Sequence, residues 1–221
     1  MNGGIVLYGA AYSVYVRAVR LALEEKGLAY RLEEIDIFAP EKVPSGYAAR
    51  HPFGKIPAFE HDGLALYESD AILRYIDDRF REPPLLPADV RPRARANQLM
   101  SVLNNYAYRT LVWDIYVERC AVPAEGGRGN EARISAALPR AENCLAALAE
   151  IASEGGEGPF LLGTAPQLPD LLAFPMFRLF RMAPEGAEIL GRFPRLAIAE
   201  EAMGTRPSAL ATRFPLEAAG A

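Results

Sequence analysis

A proline-rich segment, Arg81 to Ala96, divides this chain into two stretches with different patterns of apolar residues. The segment reads REPPLLPADVRPRARA and holds four prolines, each of which lacks a backbone donor and disfavours a helix interior. Few core contacts are expected from such a charged, turn-rich stretch, so it marks a domain boundary. We therefore predict a first domain over residues 1–80, a linker over 81–91 and a second domain over 92–221.

Before this boundary the pattern alternates between strands and helices. A buried strand is predicted over Ile5–Tyr8, a helix over Val14–Lys26 and a second strand over Tyr30–Ile37. Two short apolar runs joined across EHDGL then predict a hairpin, and a further helix begins at Ser69. The order β-α-β, loop, β-β-α is that of a small α/β domain.

After the boundary the long segments carry the period of amphipathic helices, and no strand pattern competes with it. The predicted helices cover about 92–121, 130–153, 169–182 and 194–204, separated by the glycine-rich stretches PAEGGRGN and SEGGEGPF. The predicted fold class is therefore an α/β first domain followed by an all-α second domain.

The composition argues against several kinds of partner. The chain has 221 residues and a formal net charge of -4, with acidic and basic residues interleaved, so no basic stripe could neutralise a run of nucleic-acid phosphates. It contains no stretch of about 18 apolar residues that could span a membrane. Cys120 and Cys144 lack CxxC spacing, and His51 and His61 lie on predicted loops away from any cysteine, so neither a disulfide framework nor a metal site is expected. We predict a cytoplasmic protein without nucleic-acid, membrane or metal partners.

Ser13 stands directly before the first amphipathic helix. A serine at that position caps the helix by accepting a backbone N–H, which is its commonest role there. The same position also suits an anion, because free N–H groups and the positive end of the helix dipole stabilise negative charge. The sequence around Ser13 alone does not choose between cap and catalyst.

Two further motifs could hold a peptide-like ligand. In HPFGKIPAFE, Pro57 comes immediately before a strand, where it is expected as a first residue, an edge residue or a cis peptide. A cis bond after Ile56 would leave the N–H and C=O of that residue to pair with an extended ligand. In YESDAILRYI, the helix that begins at Ser69 offers N–H groups and a hydroxyl to a carboxylate, while Glu68 can bind an ammonium group. Together these two residues would hold an amino-acid zwitterion.

The motifs YSVYVRAVRLALEEKG, HPFGKIPAFE and ESDAILRYI resemble those of the cytosolic glutathione transferases, particularly the serine-type, phi-like and related bacterial classes. The likeness extends weakly to RFPRLA and TRPS near the end of the chain. It implies a thioredoxin-like first domain, a helical second domain, glutathione as co-substrate and a two-fold homodimer. It also implies transfer of glutathione to a small apolar electrophile, with peroxide reduction, ether or halide cleavage and isomerisation as variants. A transferase-like binding or regulatory protein without chemistry is the alternative.

The resemblance makes Ser13, four residues before Arg17, the donor of a hydrogen bond to the glutathione sulfur. Tyr8 ends the first strand and lies too far from the helix start to replace it. Tyr12 adjoins the helix start, and because relatives often have a proline in the loop that here reads GAAY, the choice between Ser13 and Tyr12 stays open. No cysteine precedes Cys120, which argues against the cysteine-type relatives. Arg17 either orients the loop or pairs with a nearby acid.

The remaining contacts to glutathione are implied in the same way. The backbone of Ile56 would pair with the cysteinyl unit, and Glu68 with Ser69 would hold the γ-glutamyl end. Two lysines stand where relatives bind the glycyl carboxylate, although both could be surface charges. The full set assigned to glutathione binding is Lys42, Lys55, Ile56, Pro57, Glu68 and Ser69.

Two positions depart from the pattern of that family. Asp70 stands where phi-like proteins often have arginine, and it could add a carboxylate near the substrate ammonium or merely favour the helix N-terminus. Gln167 replaces the usual serine or threonine three residues before Asp170, which weakens the capping box of the helix that follows.

One predicted helix of the second domain carries an aromatic stripe. Its members are spaced as on one face of an α-helix, and with Tyr12 they would suit the wall of a pocket for an apolar electrophile. The same stripe could instead belong to the core or to a subunit interface. These residues are Tyr106, Arg109, Trp113 and Tyr116.

Overall fold

The structure is a computed structural model that describes residues 4–214 and Glu217. These residues form two compact units. One comprises the described residues up to Leu85 together with those from Arg206 onward, and the other comprises Leu86–Thr205. The sequence predicts domains over 1–80 and 92–221 joined by a linker over 81–91, whereas in the structure the chain passes from the first unit to the second between Leu85 and Leu86, and the described residues from Arg206 onward belong to the first unit. Residues from Arg206 onward join the first unit because they pair with its first helix.

A mixed four-stranded sheet in the order β2-β1-β3-β4 forms the centre of the first unit. Strand β1 (Ile5–Gly9) pairs in parallel with β2 (Tyr30–Glu34) and antiparallel with β3 (Ala58–His61). Strand β3 pairs antiparallel with β4 (Leu64–Tyr67). The predicted βαβ unit and hairpin are confirmed, although β2 ends at Glu34 rather than at Ile37.

Two helices belong to this sheet, α1 (Val14–Glu25) and α2 (Ser69–Arg79). The loop between β2 and β3 contains short 3₁₀ turns at Pro40–Lys42 and Tyr47–Ala49. Close approach of β1 and α1 requires a glycine at the strand end, because a Cβ on Gly9 would collide with the Val16 side chain.

The second unit is helical, as predicted. Helix α3 (Val90–Val102) runs directly into a π-helix (Leu103–Ala121) and then a short α4 (Val122–Ala124). Three short helices in the described part of the chain were not predicted: α4 and a helix over Pro184–Gly191 in this unit, and a helix over Pro207–Ala211 in the first. The remaining elements are α5 (Glu131–Ser153), α6 (Leu168–Met182), α7 (Pro184–Gly191), α8 (Pro194–Gly204) and α9 (Pro207–Ala211).

Asp170 forms its part of the capping box at the start of α6. Its buried carboxylate accepts hydrogen bonds from Gln167 N over 2.9 Å and from Leu161 N over 2.8 Å. The acid therefore ties the preceding loop to the first turn of α6 even though the cap residue has no hydroxyl.

The two histidines are both buried, but only one lies in a loop as predicted. His51 precedes a turn, whereas His61 is the last residue of β3 and its Nδ1 lies 2.8 Å from the Tyr75 hydroxyl. Over residues 4–214 and Glu217, no three metal-binding side chains converge. None of the helices described over this range is both long enough and apolar enough to cross a bilayer.

Candidate functional site

Ser13 is the cap residue of α1, with an extended backbone at φ -79° and ψ 126°. Its Oγ accepts a hydrogen bond from Val16 N over 3.4 Å, a long bond that satisfies one of the orphan N–H groups of the first turn. That turn contains no acidic residue, so no carboxylate within it offsets the positive end of the helix dipole. Because a hydroxyl both accepts and donates, Ser13 can cap the helix and still donate its proton to an anion.

Tyr12 directs its hydroxyl elsewhere. The phenol donates a hydrogen bond to Asp36 Oδ1 over 2.8 Å. Burial and the Asp36 carboxylate raise the pKa of Tyr12 well above its usual value, so the phenol stays protonated. The same bond, with one from Phe38 N, lowers the pKa of Asp36. This geometry favours Ser13 over Tyr12 as the donor to a ligand.

Phe38 is an exposed aromatic residue that sequence reasoning did not single out. Its ring centroid lies 5.4 Å from that of Tyr12, in a tilted arrangement. The available signal was a large apolar residue in a loop that follows a strand. Tyr12 and Phe38 together give the first unit an aromatic surface beside the cap residue of α1.

Tyr8 is engaged on the sheet. Its hydroxyl donates to Glu60 Oε2 over 2.9 Å, and the Arg50 guanidinium lies 4.7 Å from its ring centroid. The prediction that Tyr8 does not replace Ser13 is consistent with these contacts.

The peptide bond between Ile56 and Pro57 is cis, one of the three arrangements anticipated for that proline. Both residues are buried, and β3 begins directly after them at Ala58. Lys55 O accepts a hydrogen bond from the Tyr47 hydroxyl over 2.7 Å, which anchors the approach to this bond. Among the turn and loop hydrogen bonds of the described residues, none uses the backbone of Ile56.

Glu68 has an unusual backbone conformation, with φ 70° and ψ 114°. It is the cap residue of α2 and exposes its side chain, while the next residue, Ser69, is buried. A residue with a side chain at such a positive φ costs about 1–3 kcal/mol and persists only where its surroundings enforce it. Strain of this kind concentrates at functional positions, and Glu68 stands where the sequence predicts an ammonium-binding carboxylate.

The register of the sheet brings the three motifs to one end of the first unit. Tyr8 lies opposite Ala58 in the β1–β3 pair, and Ala58 lies opposite Tyr67 in the β3–β4 pair. Ser13 follows β1 across a short turn, the Ile56–Pro57 bond immediately precedes Ala58, and Glu68 immediately follows Tyr67. The same end of the sheet therefore carries the Ser13 hydroxyl, the backbone of Ile56 and the Glu68 carboxylate at the start of α2.

The charged residues near this end of the sheet differ in their partners and in their exposure to solvent. Asp70 accepts hydrogen bonds from Arg74 Nε over 3.0 Å and Nη2 over 3.3 Å, the usual i,i+4 pair of a helix surface. Lys42 ends a 3₁₀ turn and contributes to the lowered pKa of Asp36. Lys55 precedes Ile56, and both lysines are exposed to solvent.

The predicted aromatic stripe of the second unit does not share one face. Tyr106 is 64% exposed, whereas Tyr116 is 6% exposed. The prediction assumed an α-helix, but these residues lie in the π-helix. Because its bonds join residues five apart rather than four, a turn holds more residues, and the steps of three residues from Tyr106 to Arg109 and from Trp113 to Tyr116 no longer stay on one face. Trp113 is half-buried and Arg109 is exposed.

Tyr106 and Arg109 line a groove of about 920 Å³ within the second unit, together with residues of α5. Three arginines converge there on the buried Asp114 carboxylate. Arg109 Nε, Arg133 Nη2 and Arg140 Nη2 lie 3.0, 2.8 and 2.9 Å from its oxygens. The predicted wall residue Arg109 is thus part of a charge cluster between two helices.

Comparison with known proteins places these features in context. The family model "Glutathione S-transferase, N-terminal domain" matches residues 7–84, and "Glutathione S-transferase, C-terminal domain" matches residues 131–197. A probable glutathione S-transferase GSTF1 of Oryza sativa subsp. japonica is 28% identical over 206 residues, covering 92% of this chain and 93% of that protein. A stringent starvation protein A homolog of Pasteurella multocida (strain Pm70) is 27% identical over 187 residues, covering 85% and 79%.

The fold also matches solved structures. The apo form of glutathione S-transferase III superposes with a TM-score of 0.82 at 25% identity, over 96% of this chain and 98% of that one. The mixed sheet followed by a helical domain is therefore shared over nearly the full length of both chains.

Proposed function

This chain belongs to the glutathione S-transferase superfamily, and we propose that, as a glutathione transferase, it ionises the glutathione thiol at Ser13 for attack on an electrophilic substrate. The family predicted from the three motifs is confirmed by the two family models. The observation that carries the proposal is the strained backbone of Glu68 at the start of α2, on the same sheet edge as Ser13.

Thiolate formation is the chemical task of the site. A free thiol has a pKa of about 8.5 and is mostly protonated at neutral pH. Lowering that pKa by about two units needs about 3 kcal/mol of preferential stabilisation of the thiolate. A charge-assisted hydrogen bond from Ser13 and the positive end of α1 are of the right size to supply much of it.

The other groups anchor the tripeptide on either side of its sulfur. The N–H and C=O of Ile56, beside Pro57, pair with the cysteinyl unit as a neighbouring strand would. Glu68 takes the ammonium of the γ-glutamyl end, and Ser69 with the free N–H groups of α2 takes its carboxylate. The exposed Lys42 and Lys55 attract the glycyl carboxylate.

The electrophile site is proposed to use aromatic side chains. Tyr12 keeps its predicted role, and Phe38 joins it because the two rings lie together on the exposed surface of the first unit. Trp113 remains a candidate, as do Tyr106 and Arg109 of the groove. Tyr116 is dropped because it is buried. A small apolar electrophile fits the aromatic surface formed by Tyr12 and Phe38, and detoxification is the corresponding role.

A cytoplasmic location and a two-fold homodimer complete the proposal. The described cysteines, Cys120 and Cys144, are both free thiols, as is usual in a reducing compartment. Light scattering of the purified protein measures the oligomeric state directly.

Substitution of Ser13 tests the catalytic role. Ser13→Gly removes the hydroxyl but costs the helix cap only a few tenths of a kcal/mol, and Ser13→Thr keeps both hydroxyl and cap. We expect Ser13→Gly to bind glutathione in calorimetry while losing the thiolate absorbance of bound glutathione and conjugation to an aryl halide. Ser13→Thr should retain part of the thiolate absorbance and part of the conjugating activity. Turnover in Ser13→Gly equal to wild type would refute the role.

The alternative is a binding or regulatory protein that has kept the fold without the chemistry. Similarity to a protein named as a stringent starvation protein A homolog rather than a transferase favours this reading. Retention on immobilised glutathione and conjugating activity of the eluate would support the enzyme, and absence of both would support the binder. Parallel assays of conjugation, peroxide reduction and ether cleavage on one sample then separate the transferase from its variants.

A further inference from the structure

A C-terminal strap, defined as residues 206–214 and Glu217, lies along α1 within the first unit. At the far end of the helix, Arg206 donates two hydrogen bonds of 2.6 Å to the carboxylate of Glu25. One to two turns nearer the helix start, Arg20 Nη2 donates to Ala211 O over 3.0 Å. The strap therefore follows α1 back toward its N-terminus.

Arg17 is the contact between the strap and the first turn of α1. Its Nη1 donates to Glu217 Oε2 over 2.6 Å, and its Nη2 to Ala209 O over 3.4 Å. The guanidinium also lies 4.3 Å from the ring centroid of Phe214. Arg17 is 1% exposed and the Glu217 side chain 8%. A buried arginine is stable only when it is paired, and the strap supplies partners that hold Arg17 in this position.

Helix geometry couples Arg17 to Ser13. The Arg17 N–H donates to Ser13 O over 2.9 Å, which is the first i→i-4 bond of α1. Residues four apart also lie on one face of a helix. A change in the position of Arg17 therefore displaces the turn that carries the Ser13 hydroxyl.

We propose that Arg17 and Glu217 are positioning residues, through which the C-terminal strap holds the first turn of α1 so that Ser13 reaches the glutathione sulfur. This inference rests on the proposed function of Ser13. It assigns a role in the reaction to an acid 200 residues away from Arg17 in the sequence.

A purely electrostatic role would have a different signature. Acting through space, the positive charge of Arg17 would stabilise a thiolate and the negative charge of Glu217 would oppose it. Removing each charge in turn would then shift the pKa of the bound thiol in opposite directions. Positioning predicts shifts in the same direction, because either change releases the first turn.

The test is a spectroscopic pH titration of glutathione bound to the full-length wild type, Arg17→Met and Glu217→Gln. We expect the pKa of the bound thiol to rise by about half a unit in both variants, which lowers the thiolate fraction about threefold at a pH well below that pKa and by less than about twofold at neutral pH. Turnover at each pH should fall by the same factor as the thiolate fraction, while glutathione affinity, set by Ile56 and Glu68, changes less than about twofold.

Two further variants keep the test decisive. Phe214→Leu changes no charge, so it remains informative if the charge-removing variants fail to fold. We expect it to raise the pKa of the bound thiol by less than those variants do. Glu25→Gln is the matched control, since it breaks the other buried ion pair of the strap, with a 6% exposed carboxylate. It should lose stability and keep the thiol pKa of wild type.

Opposite shifts in Arg17→Met and Glu217→Gln, or an unchanged thiol pKa in every folded variant of Arg17, Phe214 and Glu217, would overturn the inference. A wild-type protein that binds glutathione without forming the thiolate would instead refute the proposed function, and this inference with it. The wild-type titration distinguishes the two failures before any variant is measured.

Discussion

The Tyr12 hydroxyl donates a hydrogen bond to Asp36 Oδ1 over 2.8 Å, so it is not directed at the neighbouring start of α1. Ser13, the next residue, uses its Oγ there as an acceptor for Val16 N. Two adjacent hydroxyls thus have separate partners, and the serine is the one whose proton stands at the positive end of α1.

Tyr12→Phe should therefore leave the thiol chemistry nearly intact. We expect the thiolate absorbance of bound glutathione to stay within about twofold of wild type, with a loss of about 1 kcal/mol in the free energy of unfolding from the missing bond to Asp36. Absorbance titration and urea unfolding measure the two effects. A loss of thiolate as large as that in Ser13→Gly would instead make Tyr12 the donor.

Glu68→Gly should separate stability from binding. Glycine adopts a positive φ without steric cost, so the free energy of unfolding is expected to stay equal or rise by up to about 1 kcal/mol. Glutathione affinity should fall about tenfold or more, because the ammonium group loses its carboxylate partner. Glu68→Gln is the control: it keeps the backbone strain and loses the charge, so only affinity should change. Wild-type affinity in both variants would contradict the assignment.

Glu25 gives the first unit a defined pH dependence. Burial alone would raise the pKa of Glu25, but the hydrogen bonds from Arg206 and Ser208 outweigh it and lower the pKa in the folded state. The pair therefore stabilises the protein fully above the unfolded pKa, near 4.5, and loses this contribution as the pH falls through the lower folded value.

The corresponding measurement compares wild type with Glu25→Gln in urea. The variant should be less stable by about 2 kcal/mol at neutral pH, and the difference should shrink as the pH falls below the unfolded value. Exposed Glu82→Gln serves as the control and should differ little from wild type at any pH. A difference that does not change with pH would show that Glu25 acts by packing rather than by charge.

Asp114→Asn should destabilise the helical unit. The substitution keeps the shape of the side chain but leaves Arg109, Arg133 and Arg140 facing one another without their shared carboxylate. We expect a loss of about 2–4 kcal/mol in the free energy of unfolding, followed by chemical denaturation. Glu150→Gln, exposed on α5, should change it by less than about 0.5 kcal/mol. A loss below about 1 kcal/mol would mean that solvent already screens the cluster.

Several features could be predicted because they depend on nearby residues alone. Ser13 caps α1 because an acceptor just before an amphipathic run satisfies N–H groups of its own first turn. The hairpin follows from two apolar runs that flank a short polar turn containing Gly63. Strand ends and short helices were less predictable: β2 stops at Glu34, and α7 and α9 are too short for a periodic pattern to reveal.

Other features depend on partners that are remote in the sequence. Nothing near Glu68 signals a positive φ, since positions that require it usually carry glycine or asparagine. The π-helix changed which aromatic residues share a face, a difference in hydrogen bonding that α-helical spacing does not reveal.

The order of strands and helices, the family and the three motifs can be inferred from the amino-acid sequence, because caps, periods and turns are set within about four residues of each position. The hydrogen bond from Tyr12 to Asp36 and the pairing of Glu217 with the buried Arg17 are visible only in the folded chain. A buried charge takes whatever opposite charge the folded chain brings to it, and that partner is selected by packing across the whole unit rather than by its neighbours along the chain.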